Sequence, residues 1–298
     1  MSSDIRRLNV AACIVVLISL VFVLAVPSNP PASRFALRGE TDGYLYASNT
    51  GEFQSSVVED AKNRAEKLFG GSNPAADELV RHLLGSLSAC RNVDVLVIFN
   101  AGGFGWDSVD DATGWVTIME GIIDILQGLG HRLMVVDYLR TRFDLGGFVS
   151  EGLAFWGFYP LKSQELALRI DFLTYHLPGL EVLIAGESNG STIVEEAMRI
   201  LEDNPNVYAL QTGPTAIQRC RESENSLVIR HNGLIADSFS QGDIFTIIRS
   251  NLEALLGIYQ EQPGDILFYI GAPGHYYTWE YDRLRQDITR FLNRSFSG

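Results

Sequence analysis

Short, continuous apolar runs alternate along most of the chain with longer amphipathic stretches. The segments VDVLVIF (93–99), RLMVVDY (132–138), EVLIAG (181–186), VYALQ (207–211), SLVIRH (226–231) and DILFYIG (265–271) have strand length and are largely apolar, as strands covered on both faces are. Between them apolar positions recur every three or four residues. Val57, Val58, Ala61, Ala65 and Leu68 share one helical face, and Leu79, Leu83, Leu84 and Leu87 share another. The spacing predicts helices over 54–69, 75–89, 113–128, 163–176, 191–203, 243–257 and 279–293. Strands separated mostly by helices specify an α/β fold: a doubly wound, mainly parallel sheet of about six strands with helices on both faces.

One apolar run stands apart. Val10 to Val26 has Ser19 as its single polar residue and follows Arg6 and Arg7. A helix rising about 1.5 Å per residue would cross most of a ~30 Å hydrocarbon core at this length. The run also exceeds the roughly 7–15 residues of a cleaved signal core. It reads as an N-terminal transmembrane helix, with a removed signal as the alternative. The organisation expected is therefore a short cytoplasmic tail (1–9), an anchor or signal segment (10–26), a Pro- and Ser-rich linker (27–52) and one folded domain (53–298). The linker is expected to end in a short edge strand near Tyr44–Ala47. Arginines on the short side place the N-terminus in the cytoplasm and the domain outside; cleavage would leave the domain secreted.

Charge narrows the partners. With 36 acidic and 23 basic residues the net charge is −13, which argues against nucleic acid, whose binding draws on Lys and Arg to neutralise phosphates. The three cysteines, Cys13, Cys90 and Cys220, give no disulfide framework and no zinc-ligand spacing. Two free thiols are expected at Cys90 and Cys220, a bridge between them being the alternative in an oxidising compartment. Nothing in the sequence signals a metal or an organic cofactor.

The chemistry concentrates in Gly186-Glu187-Ser188-Asn189-Gly190, a G-x-S-x-G pentapeptide entered by an apolar strand and left by an amphipathic helix. That is the setting of a nucleophile elbow, where a tight turn lifts the serine above the sheet. A serine hydroxyl needs a base. His231 and His275 follow Ser188 in the chain, and His275 lies in a Gly/Pro-rich loop directly after the last apolar run, where the base belongs. A carboxylate must orient the imidazole. The loop 231–243 offers Asp237 and Asp243, of which Asp237 is preferred because Asp243 suits the N-cap of the next helix. Backbone N–H donors for an oxyanion are expected at Asn189 and, from the glycine-rich loop Asn100–Gly105, at Phe104 or Gly103.

Strand–NAGGFG, strand–GESNG–helix, an Asp-bearing loop and strand–APGH–helix together resemble the α/β-hydrolase superfamily over residues 93–294. The resemblance implies a Ser188–Asp237–His275 triad working through an acyl-serine. Two departures are visible: Asn100 stands where many members have a His-Gly pair, and no antiparallel hairpin is evident before the first parallel strand. Between the second strand and the next helix, the aromatic-rich segment 138–162, with Phe155 and Trp156, reads as a substrate-binding wall or lid, or else as core packing. The expected activity is hydrolysis of a carboxylic ester that is apolar or lipid-like. Thioesterase, peptidase or acyltransferase chemistry and a non-catalytic binding role are the alternatives.

Overall fold

The computed structural model describes residues 33–38, 45, 50–103, 105, 107–140, 160–217, 220–258 and 272–297. The expected anchor 10–26, the oxyanion candidate Phe104, the substrate-wall residues Phe155 and Trp156, and the expected strand 265–271 lie outside the described residues. No helix among the described residues is long and apolar enough to cross a membrane.

The elements run β1 (Arg34–Leu37), α1 (Ser55–Phe69), α2 (Pro74–Ala89), β2 (Val95–Asn100), α3 (Trp115–Gly128), β3 (Leu133–Leu139), α4 (Pro160–His176), β4 (Glu181–Glu187), α5 (Asn189–Ile200), β5 (Val207–Thr212), β6 (Ser226–Ile229), α6 (Ser238–Gln241), α7 (Ile244–Leu255) and α8 (Asp282–Phe296). The sheet order is β1-β3-β2-β4-β5-β6, parallel throughout except for β1. The strands thus face the way the apolar runs predict.

Both sheet faces are buried, and the side-chain alternation divides the core in two. Leu96 and Ile98 of β2, with Val182 and Ile184 of β4, pack with Leu79, Leu83, Ile170 and Val194 under α1, α2, α4 and α5. Val97 and Phe99, with Leu183 and Ala185, pack with Trp115, Ile118, Leu284 and Ile288 under α3 and α8. Helix starts follow local chemistry: Asn73 caps α2 by accepting from Ala75 N and Ala76 N, ahead of Pro74 in the first turn.

One boundary differs from the sequence reading. The stretch 27–52 is not all linker: Arg34–Leu37 joins the sheet edge antiparallel to β3, upstream of the strand expected near Tyr44. Phe35 packs edge-on against Tyr138, with ring centroids 5.8 Å apart. Ser33 N–H donates to buried Glu165 at 2.7 Å, and Lys162 Nζ donates to Ser33 Oγ at 3.1 Å. Phe35, Ala36 and Leu37 are apolar, but four residues are too few to carry a periodic signal; partners about a hundred positions away make this strand.

Cys90 and Cys220 are free. Burial pushes both thiols up to about 12, so neither is a poised nucleophile.

Candidate active site

The chain proceeds from β2 outward to β3, then returns to the other side of β2 for β4. Strand order therefore reverses between β2 and β4, making a switch point at their carboxyl ends, where open α/β sheets take ligands. The loop after Asn100 and the turn at Ser188 border it.

The elbow is built by close approach. Ser188 has φ 50° and ψ −116°, the one non-glycine residue with positive φ among those described. A Cβ on Gly190 would stand 2.1 Å from the Asn100 carbonyl oxygen, and one on Gly186 2.8 Å from Val194, so both glycines of the pentapeptide are required. β5 holds the turn from the side. Thr212 O accepts from Ser188 N–H at 2.9 Å and from Ser191 Oγ at 3.1 Å, and Thr212 Oγ1 accepts from Trp115 Nε1 at 3.0 Å.

Ser188 Oγ lies 3.2 Å from His275 Nε2, and His275 Nδ1 lies 2.8 Å from Asp237 Oδ2. With a carboxylate on Nδ1, that nitrogen carries the proton and Nε2 is free to accept from the serine. Asp237 is fully buried and surrounded by donors. Oδ1 accepts from Phe239 N and Ser240 N at 2.9 and 3.1 Å, and Oδ2 accepts also from Tyr277 Oη at 2.6 Å. The Ser240 hydroxyl, 2.9 Å from Oδ2 and 2.7 Å from Pro214 O, shares its one proton between them. Burial works to raise the Asp237 pKa, but the hydrogen bonds from His275, Tyr277 and Ser240 outweigh it and hold the carboxyl below its usual value.

Asp243 is elsewhere occupied: its side chain accepts from Thr246 N at 3.0 Å and Oγ1 at 2.6 Å, capping α7. Three other histidines are tied to distant groups, His82 to Leu45 O, His131 to Phe296 O and His176 to Asp60. His231 makes a backbone bridge with Ala236.

The glycine-rich loop is fixed by a residue the sequence reading missed. Buried Arg140 donates from Nη1 to Ala101 O at 2.7 Å and from Nη2 to Gly103 O at 3.3 Å, and its own N–H reaches Gly105 O at 2.9 Å. Asn189 Nδ2 approaches Gly103 O at 3.4 Å. Gly102 comes nearest the nucleophile, since a Cβ there would lie 3.3 Å from Ser188 Cβ. Tyr277, Ser240 and Arg140 gave no sequence signal, because polar residues in loops carry no periodicity that singles them out.

Ser188 thus sits on a positive-φ turn at the switch point of the sheet, with Asp237 and His275 following it in the chain. The chain has an α/β fold, a mostly parallel six-stranded sheet between layers of helices. No family model and no curated protein matches it. Among solved structures, a Trichoderma reesei cutinase in complex with a phosphonate inhibitor aligns over 82% of this chain and 93% of its own, at 16% identity and a TM-score of 0.41. A likeness this loose identifies neither substrate nor activity. The arrangement can deprotonate Ser188 as it attacks and hold the resulting imidazolium on Asp237.

Proposed function

We propose that the protein is a serine hydrolase that cleaves carboxylic esters through an acyl intermediate on Ser188. The observation that carries this reading is the unbroken hydrogen-bond chain from Asp237 through His275 to Ser188. Ser188 attacks the ester carbonyl while His275 Nε2 takes its proton; the tetrahedral oxyanion is stabilised by backbone N–H groups of Asn189 and of the 101–105 loop, Gly103 or Phe104. His275 returns the proton to the leaving alcohol, and water then releases the acid by the same steps in reverse.

An apolar or lipid-like ester is the proposed substrate. Its support is the apolar surface on α7, which follows the short helix capped by Asp237: Phe245, Ile248 and Leu252 are each more than half exposed. Phe155 and Trp156 are proposed to line the acyl side. The run 10–26 is proposed to tether the domain to a membrane, outer side, or to direct its secretion. Carbonate extraction of the full chain separates these two fates: membrane retention supports the anchor, and release supports cleavage.

The deciding experiment is labelling with a fluorophosphonate, comparing wild type with Ser188→Ala and His275→Ala. Labelling lost in the first and collapsed in the second supports the reading, and esters of graded chain length then define the substrate. A folded wild type that never labels would overturn it in favour of a binding protein.

A further inference from the structure

Beside Ser188 stands a carboxyl group that the proposed hydrolysis does not use. Glu187 closes β4, paired in register with Thr212. Side chains alternate along a strand, so Glu187 follows Leu183 and Ala185 on the face covered by α3 and α8. It stands where that apolar layer ends, at the carboxyl end of β4. Its carboxyl accepts from the Gly102 backbone N–H. The point a Gly102 Cβ would occupy is 3.5 Å from Glu187 Oε2 and 3.3 Å from Ser188 Cβ, so acid and nucleophile border the same small space.

The titratable groups facing Glu187 are His275, Asp107 from the loop after β2, and Tyr276 and Tyr277 from the loop before α8. Among the described residues no Lys or Arg pairs with it. Loss of water is the main influence on its carboxyl and pushes the pKa up to about 7. An ionised carboxylate has about four acceptor positions, and among the described residues the Gly102 N–H is the one backbone donor acting on it.

We propose that Glu187 is a specificity-determining residue. Its carboxylate selects esters that carry a positively charged or hydrogen-bond-donating group next to the scissile carbonyl, and rejects those that carry an anion there. This rests on the ester-hydrolase reading. A cationic or donor group of the substrate adds a partner to this carboxylate, whereas an incoming anion meets both Glu187 and Asp107. The selectivity fades as pH falls, because protonation of Glu187 removes the charge.

The test uses three fluorophosphonates of matched length whose substituent beside phosphorus ends in a methyl, an ammonium or a carboxylate group. The neutral probe, lost in Ser188→Ala, reports the hydrolase reading alone. The ratio of ammonium to carboxylate labelling rates reports Glu187, and taking a ratio cancels the titration of His275. Wild type at pH 8 is expected to favour the ammonium probe by on the order of tenfold, as for a charge pair at a partly wet site. The ratio should approach unity in Glu187→Gln and shrink in wild type near pH 5.5, while Asp107→Asn keeps most of it. Intact neutral labelling with an unchanged ratio in Glu187→Gln overturns the proposal, as does a ratio that collapses in Asp107→Asn instead. A folded wild type that takes up none of the probes removes the hydrolase reading and this inference with it.

Discussion

Tyr277 donates its phenolic proton to Asp237 Oδ2 at 2.6 Å, the same oxygen that lies 2.8 Å from His275 Nδ1. Both side chains are buried. The phenol therefore helps to keep a desolvated carboxylate charged and aimed at the imidazole. Replacing it with Phe leaves the packing and removes one donor to a buried charge, worth roughly 1.5–3 kcal/mol. Tyr277→Phe is expected to lose that much stability at neutral pH, with a lower kcat and an unchanged KM. The sign with pH follows from the depressed Asp237 pKa: the contribution is present above the ordinary Asp value and fades as pH falls through the folded one. Urea unfolding of both proteins at pH 7 and pH 3 checks it.

Asp237 and Asp243 divide two roles that look alike in the sequence. Asp237→Asn is expected to lower kcat by about 10⁴-fold, the size seen when a histidine-orienting carboxylate is neutralised. Asp243→Asn should leave kcat alone and loosen only the first turn of α7. Steady-state kinetics on one chromogenic ester distinguishes them, and equal losses would mean that the acid has been misassigned.

The elbow stores strain. Ser188 occupies a backbone region where a side chain costs on the order of 1–3 kcal/mol. Ser188→Gly is expected to abolish labelling yet raise unfolding stability by about 1 kcal/mol, after the entropy glycine gains in the unfolded chain is subtracted. A lower melting temperature than wild type would contradict this.

Gly213 guards the histidine from behind. It has φ 59°, and a Cβ there would lie 2.6 Å from His275 Cε1. Gly213→Ala should displace the ring and cost roughly 10²-fold in kcat, as misplacement of a reacting group by about an ångström does. Circular dichroism should show the fold retained.

Asp137, buried at the end of β3, accepts from Val109 N–H at 2.8 Å. Burial nevertheless pushes its pKa up to about 6. A raised pKa means that the folded state holds the proton more tightly, so this contribution is full below the ordinary Asp value and is lost as pH rises through 6. Asn keeps the acceptor without the charge. Asp137→Asn should match wild type near pH 4 and exceed it at pH 8 by on the order of 2–3 kcal/mol, read from paired denaturation curves.

What the sequence determined was whatever local pattern carries. The parallel strands, the helices between them and the G-x-S-x-G elbow all write their requirements into neighbouring residues: apolar runs, periodic faces, and glycines where backbones touch. The pairing of His275 with Ser188 could be expected from chain order together with its place in the loop after the last apolar run. Tertiary structure decided the rest. The edge strand Arg34–Leu37 is too short to announce itself and exists because β3 offers backbone groups for it to pair with. Arg140 and Tyr277 gain their roles from carbonyls and a carboxylate some forty positions away. Nothing local marks Glu187 apart; only the fold brings it beside Gly102 and removes its water, which raises its pKa. Periodicity is a property of neighbours along the chain, whereas desolvation and hydrogen-bond partnership depend on which distant segments the fold brings together.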